Sequence, residues 1–308
     1  LIVRKLRARN GIAAAPEQIL VTNGAKQALF DALQSICGPG DQVIVLRPYW
    51  VSFPESVRLA GAEPVFVDTK AHQLDLPAIE AAVSGLTRAI IVNSPNNPTG
   101  AVYSESSLRA LAKLAARRNL LIVSDEAYED QVYDGRRHFS VGKAAPERTI
   151  TIQTFSKSYS MTGFRVGYLA APPAIAAAAR TLHGHITGNV CTFAQHGAIA
   201  ALSLGGRELK MRRAFFQKRR DLAYRLASRS FDCVKPRGSF FVFADARHHL
   251  GSRFESSSQL AEHLLEKAGV AVVPGSACGM EGFLRFSFTQ PDAVIKEAFS
   301  RIEGELSR

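Results

Sequence analysis

The stretch Gly24–Leu46, GAKQALFDALQSICGPGDQVIVL, decides the fold. Gly24 to Cys37 carries apolar residues at helical spacing, Gly38-Pro39-Gly40-Asp41 is a turn signal, and Gln42-Val43-Ile44-Val45-Leu46 is an apolar strand run. A helix that feeds a buried strand through a tight turn is the repeating unit of a sheet covered by helices, and from Ile19 onward the alternation continues. Further strands are expected at Glu63 to Val67, Ala89 to Asn93, Leu120 to Ser124, Thr149 to Gln153 and Val166 to Ala170, with helices between most of them. The pattern predicts an α/β fold with a mostly parallel sheet. After about Leu204 it changes to a long helix (Arg207 to Ser228), short strands at Phe231 to Lys235 and Phe240 to Ala244, a helix at Ser257 to Ala268, and strands near Val270 and Phe283. We therefore expect a large domain over 1–204, with the remnant of an N-terminal segment at 1–10, and a smaller α+β C-terminal domain over 205–308. The two would share a cleft.

Composition narrows the function classes. With 46% hydrophobic and 21% charged residues in 308, the chain can bury sizeable cores. Its longest apolar runs, such as Ala174 to Ala179, fall far short of a membrane span, and no secretory signal opens the chain. A soluble, cytoplasmic protein is expected, without membrane or nucleic-acid partners. Cys37, Cys191, Cys233 and Cys278 lack CxxC pairing and zinc-like spacing, which reads as buried reduced thiols. The net charge of +11 is densest at Lys210-Met211-Arg212-Arg213 and Lys218-Arg219-Arg220. Because Leu209, Phe215, Phe216, Leu222 and Leu226 form an apolar stripe through the same segment, those cations are read as a solvated helix face. His248-His249 is read as a surface loop. The chain opens inside a helix, Ile2 to Arg9, that stops at Asn10-Gly11, and an N-terminally incomplete chain is expected.

In open α/β sheets ligands bind beyond the carboxyl ends of strands. Five such loops carry chemistry. Val21-Thr22-Asn23-Gly24-Ala25-Lys26-Gln27 opens a helix whose first amides, at Ala25 and Lys26, would suit a phosphate, although ordinary helix starts look the same. Arg47-Pro48-Tyr49-Trp50 holds the only tryptophan, either a core residue or a platform for a flat ring. Asn93-Ser94-Pro95-Asn96-Asn97-Pro98-Thr99-Gly100 is a stiffened loop presenting amide side chains. Leu121-Ile122-Val123-Ser124-Asp125-Glu126-Ala127-Tyr128 puts acids beyond a buried strand, so Asp125 should have a cationic partner, a basic ring nitrogen being one candidate. The last loop, Thr154 to Gly167, holds Lys157 and Arg165 among hydroxyls and glycines. A partly desolvated lysine can lose its proton, as imine chemistry requires. Metal chemistry and a Ser/His/Asp triad are not expected, for want of convergent ligands or a nucleophile elbow.

These segments, in this order and spacing, resemble the class I/II aminotransferases of fold type I, a three-layer pyridoxal-phosphate-dependent transferase fold, and lie close to the bacterial subgroup that includes prokaryotic-type aspartate aminotransferases. The likeness spans essentially the whole chain. Arg237-Gly238-Ser239-Phe240-Phe241, Val272-Val273-Pro274-Gly275-Ser276-Ala277 and Leu284-Arg285-Phe286-Ser287 resemble later landmarks of the family. The resemblance implies pyridoxal 5'-phosphate held by Lys157 through a Schiff base, Lys157 also acting as general acid and base. It implies Asp125 paired with the ring nitrogen, Asn97 and Tyr128 on the phenolic oxygen, Trp50 stacked on the ring, and Ala25, Lys26, Thr154 and Arg165 around the phosphate. Arg285, with Asn97 and Trp50, would bind the amino-acid substrate, Arg285 through its α-carboxylate. The activity implied is ping-pong transfer of an amino group between an L-amino acid (aspartate-like, aromatic or broad range) and a 2-oxo acid, in a homodimer. A C–S or β-lyase of the same fold and a non-catalytic sensor domain are the alternatives. Thr154 stands where serine is frequent, and the region matching a substrate-reading arginine of some relatives is Leu182-His183-Gly184-His185, so dicarboxylate specificity is not assigned. The family's additional N-terminal stretch, which gives a tyrosine to the partner's phosphate site, has no counterpart in the sequence.

Overall fold

The structure is a computed structural model that describes residues 1–251 and 253–307. Seven strands form the larger sheet: β1 (Ile19–Thr22), β2 (Gln42–Arg47), β3 (Glu63–Asp68), β4 (Thr87–Asn93), β5 (Leu121–Asp125), β6 (Thr149–Thr154) and β7 (Gly167–Ala170), in the order β1-β7-β6-β5-β4-β2-β3. The run from β3 through β2, β4 and β5 to β6 is parallel, and β7 is antiparallel to both β6 and β1. The helices between strands cover both faces, giving three layers. Alternation along β2 explains why both faces are apolar: Val43 and Val45 enter one core with the helices Ala25–Ile36, Ser52–Leu59 and Pro173–Ile186. Ile44 and Leu46 enter another with Glu105–Arg117.

A second, antiparallel sheet is made of β8 (Asp232–Cys233), β9 (Phe241–Asp245), β10 (Val273–Pro274) and β11 (Phe283–Ser287), in the order β10-β11-β9-β8. Its own core combines Val242, Leu284 and Phe286 with apolar residues of three helices, Gly206–Ala227, Ser257–Ala268 and Asp292–Leu306. Backbone bonds tie this part to the loops after β4 and β5: the amides of Arg237 and Gly238 donate to Gly100 O at 2.9 and 2.8 Å, and Ser239 N donates to Gln131 O at 2.9 Å. The second sheet is thereby held over the carboxyl ends of the parallel strands.

Several expectations shift. The strand placed near Val270 lies at Val273–Pro274, because the preceding helix ends on Gly269 with a left-handed φ of 65° and needs a few residues to leave it. The strand expected over Phe231 to Lys235 shrinks to Asp232–Cys233, and the Asp292–Leu306 helix is added. Arg220, read as part of a solvated face, is fully buried: its Nη1 and Nη2 reach Asp134 at 2.9 and 2.6 Å, and Nη1 also reaches Pro236 O. Phe215, counted in the apolar stripe, is half exposed under the guanidinium of Arg219. Of the four cysteines expected to be buried only Cys278 is; Cys37 and Cys233 are half-buried, and Cys191 is exposed because it sits at the surface just before the Thr192–Ser203 helix. His248 and His249 lie on a one-turn 3-10 segment, each imidazole Nε2 near Ser230 O. Among the described residues no helix is long and apolar enough to cross a membrane.

Candidate active site

A cavity of about 300 Å³ opens at the carboxyl ends of β4, β5 and β6. All ten residues singled out in the sequence line it: Ala25, Lys26, Trp50, Asn97, Asp125, Tyr128, Thr154, Lys157, Arg165 and Arg285.

One wall is a helix start. Gly24, with φ 83° and ψ 170°, turns β1 into the Ala25–Ile36 helix, pointing its first amides toward the cavity end that Arg165 flanks. Two glycines make the approach possible. A Cβ on Gly24 would stand 2.6 Å from Nη2 of Arg165, and one on Gly167 would stand 2.7 Å from both Ala25 N and Gly24 C. Arg165 itself has a left-handed φ of 54° and donates to Thr162 O and Asn23 O at 3.1 and 3.3 Å. Thr154 ends β6 and caps the short Phe155–Ser158 helix, its Oγ1 accepting from Ser156 N at 3.1 Å. That capped turn fixes Lys157, whose Nζ lies 5.2 Å from the Phe240 ring centroid and 5.9 Å from that of Tyr128. Burial pulls the lysine's pKa down, the charges of Arg165 and Arg285 add to this, and Asp125 opposes it.

Asp125 ends β5 as a buried residue, 6% exposed, and its Oδ1 accepts the Ala127 amide at 3.0 Å. Among the described residues no cation stands within ion-pair distance, so the expected cationic partner is met by Lys157 only as a more distant charge. Burial therefore dominates and raises the Asp125 carboxyl to about 6, with Glu126 adding to the rise and the Ala127 amide and Lys157 working against it. Such a carboxylate is short of positive charge. Burial likewise pushes the Tyr128 hydroxyl well above its ordinary range. Asn97 is held by its amide, which donates to Asn93 Oδ1 at 2.8 Å, and its own Oδ1 accepts from Arg285 Nη1 at 2.9 Å. Arg285 comes from β11 of the second sheet and lies 4.6 Å from the Phe241 ring. Trp50 combines both readings open at the sequence level: it packs against the main core and faces the cavity, with Lys26 Nζ 5.2 Å from its ring centroid.

Sequence reasoning passed over a buried polar web behind these loops. Asn93, quoted but not singled out, donates to the Asp125 carbonyl at 3.0 Å and lines the cavity. Glu126, 1% exposed, accepts from Ser124, Ser140, His138 and Gln153. Glu129 is paired with Lys5 and takes a hydrogen bond from Asn10, joining the first helix to the turn that carries Asp125 and Tyr128. Burial disfavours a charged His138, and the Glu126 carboxylate beside it outweighs that, so its pKa is raised. Glu126, Glu129 and His138 do bring three ligand atoms within 4.8 Å of one another, contrary to the expectation of no convergent ligands. Lys5 is already paired with Glu129, and Ser124, Ser140 and Gln153 already donate to Glu126. The spacing of Glu126, Glu129 and His138 carried no signal of this, since their partners come from β6 and the first helix.

A deprotonatable lysine, an under-compensated carboxylate and an arginine reaching over from a second sheet, set beside a helix start at strand ends, define a pyridoxal-phosphate-dependent transferase of fold type I. The chain belongs to the aminotransferase class I and II family, whose sequence pattern matches residues 1–302. It is 40% identical to the aspartate/prephenate aminotransferase of Thermus thermophilus over 100% of this chain and 80% of that protein. Among solved structures it is similar to the Thermus thermophilus aspartate aminotransferase with maleate, at 39% identity and a TM-score of 0.94, over 99% of this chain and 80% of that one. The aromatic aminotransferase of Pyrococcus horikoshii gives 36% identity and a TM-score of 0.94 over 99% and 84% of the two chains. The protein is an aminotransferase acting on amino-acid and 2-oxo-acid substrates.

Proposed function

We propose that Lys157, Asp125, Tyr128, Asn97 and Arg285 carry the transamination, with an aspartate-type L-amino acid as the first donor to test and aromatic donors next. The observation that carries this is the convergence of Lys157, with its lowered proton affinity, and Arg285 on one cavity floored by the buried Asp125. The names of the relatives, aspartate/prephenate and aromatic, support that order of donors.

The residues present fit pyridoxal phosphate. The helix start at Ala25 and Lys26, the Thr154 hydroxyl and the Arg165 guanidinium suit a phosphate dianion. Trp50 offers a flat face, Tyr128 and Asn97 offer donors, and Asp125 would pair with a protonated ring nitrogen. When bound, the group supplies an electron sink for the substrate's Cα–H bond pair. Lys157 would anchor the group through Nζ and, once released by the incoming amine, take the proton from Cα and return it to the cofactor carbon. Arg285 would grip the α-carboxylate with two N–H groups, which orients the breaking Cα–H bond. Its bond to Asn97 would hold it in place before substrate arrives.

The division into a cofactor-binding part over 1–204 and a smaller part over 205–308 is proposed on the same footing, supported by the separate sheets and cores. A cytoplasmic homodimer is also proposed. Free cysteines support the compartment, and exposed Phe193 and Ile186 support a covered face.

The test is an absorbance spectrum of the enzyme with pyridoxal phosphate beside Lys157→Ala, before and after L-aspartate. A band that requires Lys157 and shifts to the pyridoxamine form with donor is expected, with 2-oxo acid formed in step. A donor-dependent shift that persists in Lys157→Ala at the wild-type rate would refute the assignment.

A further inference from the structure

Just beyond β3, the edge strand of the large sheet, the chain makes a two-residue turn, Lys70-Ala71-His72-Gln73. Lys70 N donates to Gln73 O at 3.0 Å, and Gln73 N to Lys70 O at 2.9 Å. Both central residues have left-handed φ, 49° at Ala71 and 61° at His72, which is the backbone of a type I′ turn. Such turns ordinarily use Asn-Gly, and an Ala-His pair pays a steric cost for each positive φ. The turn is clamped at both roots: Thr69 N and Oγ1 donate to Arg47 O at 3.0 and 2.7 Å, and Asp75 caps the following helix through Ala78 N.

The side chain that this conformation projects is the imidazole of His72. It meets Phe243 and Phe283 of the second sheet, at centroid distances of 6.1 and 6.4 Å and interplanar angles of 68° and 81°. Those two rings stack on each other at 4.9 Å. Phe243 is the direct register partner of Arg285, and Phe283 precedes Arg285 by two residues, so all three share the sheet face opposite to Leu284 and Phe286, which are core residues. We propose that His72 is a positioning residue for the substrate: it latches the strand that carries Arg285 onto the edge of the large sheet. The inference rests on the reading of Arg285 as the substrate-carboxylate ligand.

The latch works with a neutral ring. Nδ1 of His72 is buried without a hydrogen-bond partner, and burial alone lowers its pKa. The charges around it are otherwise engaged. Arg285 is bonded to Asn97, Arg247 is paired with Asp245 while lying 5.5 Å from the Phe283 ring, Glu281 accepts from Ser257 N and Gly282 N, and Lys70 belongs to the same turn. None of these offers His72 an anion. Protonation would put an uncompensated charge against two phenyl rings and the Arg285 strand, so the latch should loosen in acid.

The test compares holoenzymes of the wild type, His72→Ala, His72→Phe and Arg285→Lys with L-aspartate and 2-oxoglutarate, from about pH 8 to about pH 5.5. His72→Ala is expected to raise the donor KM about three- to tenfold at the alkaline end while kcat falls less, and His72→Phe is expected to keep the wild-type KM there. Toward acid, the wild-type KM should climb through an increment that His72→Phe lacks, whereas titration of Asp125 is common to both. A wild-type KM in His72→Ala, or an unchanged acid climb in His72→Phe, overturns the latch. If His72→Ala does not fold, the comparison of His72→Phe with the wild type decides alone. Arg285→Lys separates the two readings: a raised KM there with both His72 results negative removes only the latch, while an unaltered KM removes the carboxylate assignment and the latch with it.

Discussion

The chemistry proposed for the cavity depends on two groups held away from their ordinary protonation. Lys157 is moved toward the free amine by burial and by Arg165 and Arg285, and Asp125 is moved toward the acid by burial. For Asp125 this has a consequence for stability. Its folded pKa of about 6 lies above the ordinary 3.8, so between those values the folded state holds a proton that the unfolded chain has lost. Stability contributed at this site is then lost as pH rises through the window, by on the order of 2–3 kcal/mol in full. Cofactor-free enzyme carrying Asp125→Asn should therefore gain on the wild type as pH rises from 4 to 7, in thermal unfolding. Parallel pH curves would contradict the placement of the charge. A bound cofactor with a protonated ring nitrogen would cancel the penalty, so the difference should shrink on adding pyridoxal phosphate.

At the scale of elements, the end of the cavity proposed to hold the phosphate exists because β7 and the Ala25–Ile36 helix touch through backbone. Gly167 lies opposite Thr22 on β1 and opposite Thr154 on β6, and a Cβ there would meet Ala25 N, Gly24 C and the Gln153 carbonyl, all within 2.9 Å. None of those atoms can swing aside as a side-chain tip would. Gly167→Ala should push the helix start away from the strand, costing about 1–3 kcal/mol in stability as an overpacked site does. It should also weaken pyridoxal-phosphate binding by more than it weakens L-aspartate binding to whatever holoenzyme forms. Equal affinity in a cofactor titration would show that the helix start is not needed there. Gly24, whose φ of 83° also needs glycine, was conspicuous in the sequence as a turn; the role of Gly167 follows only from three strands and a helix meeting at one point.

For the whole molecule, the feature that matters is that the second sheet delivers Arg285, together with Phe241, to a cavity whose other lining residues come from the part built on the first. That delivery rests on backbone bonds at Gly100 and Gln131, on the pairing of the buried Arg220 with Asp134, and on the Arg285 to Asn97 bond. Phe193 is 79% exposed and Ile186 52%, and the proposed homodimer would cover them. Sedimentation or light scattering is expected to give a dimer, and Phe193→Ser is expected to shift it toward monomer. A wild-type monomer that transaminates fully would defeat the homodimer proposal.

Much of this was legible in the residues themselves. The period of the apolar runs from Ile19 to Ala170 specified strands flanked by helices, because a strand buried on both faces must be apolar throughout. Most of the ten cavity-lining residues could be found because loops after such strands are short and carry few chemically capable side chains, whereas Thr154 and Arg285, the latter on β11, were reached through the resemblance to the family. What the sequence could not determine depends on contacts between distant segments. The burial of Arg220 requires Asp134 and Tyr133 from another loop. The hydrogen-bonded web of Glu126 and Glu129 requires Gln153 and Lys5. The contact of His72 with the Arg285 strand requires two sheets to be brought edge to face. Local periodicity encodes which face of an element is apolar, whereas the partner of a buried charge or ring is set by the tertiary fold, which alone brings distant side chains within a few ångströms.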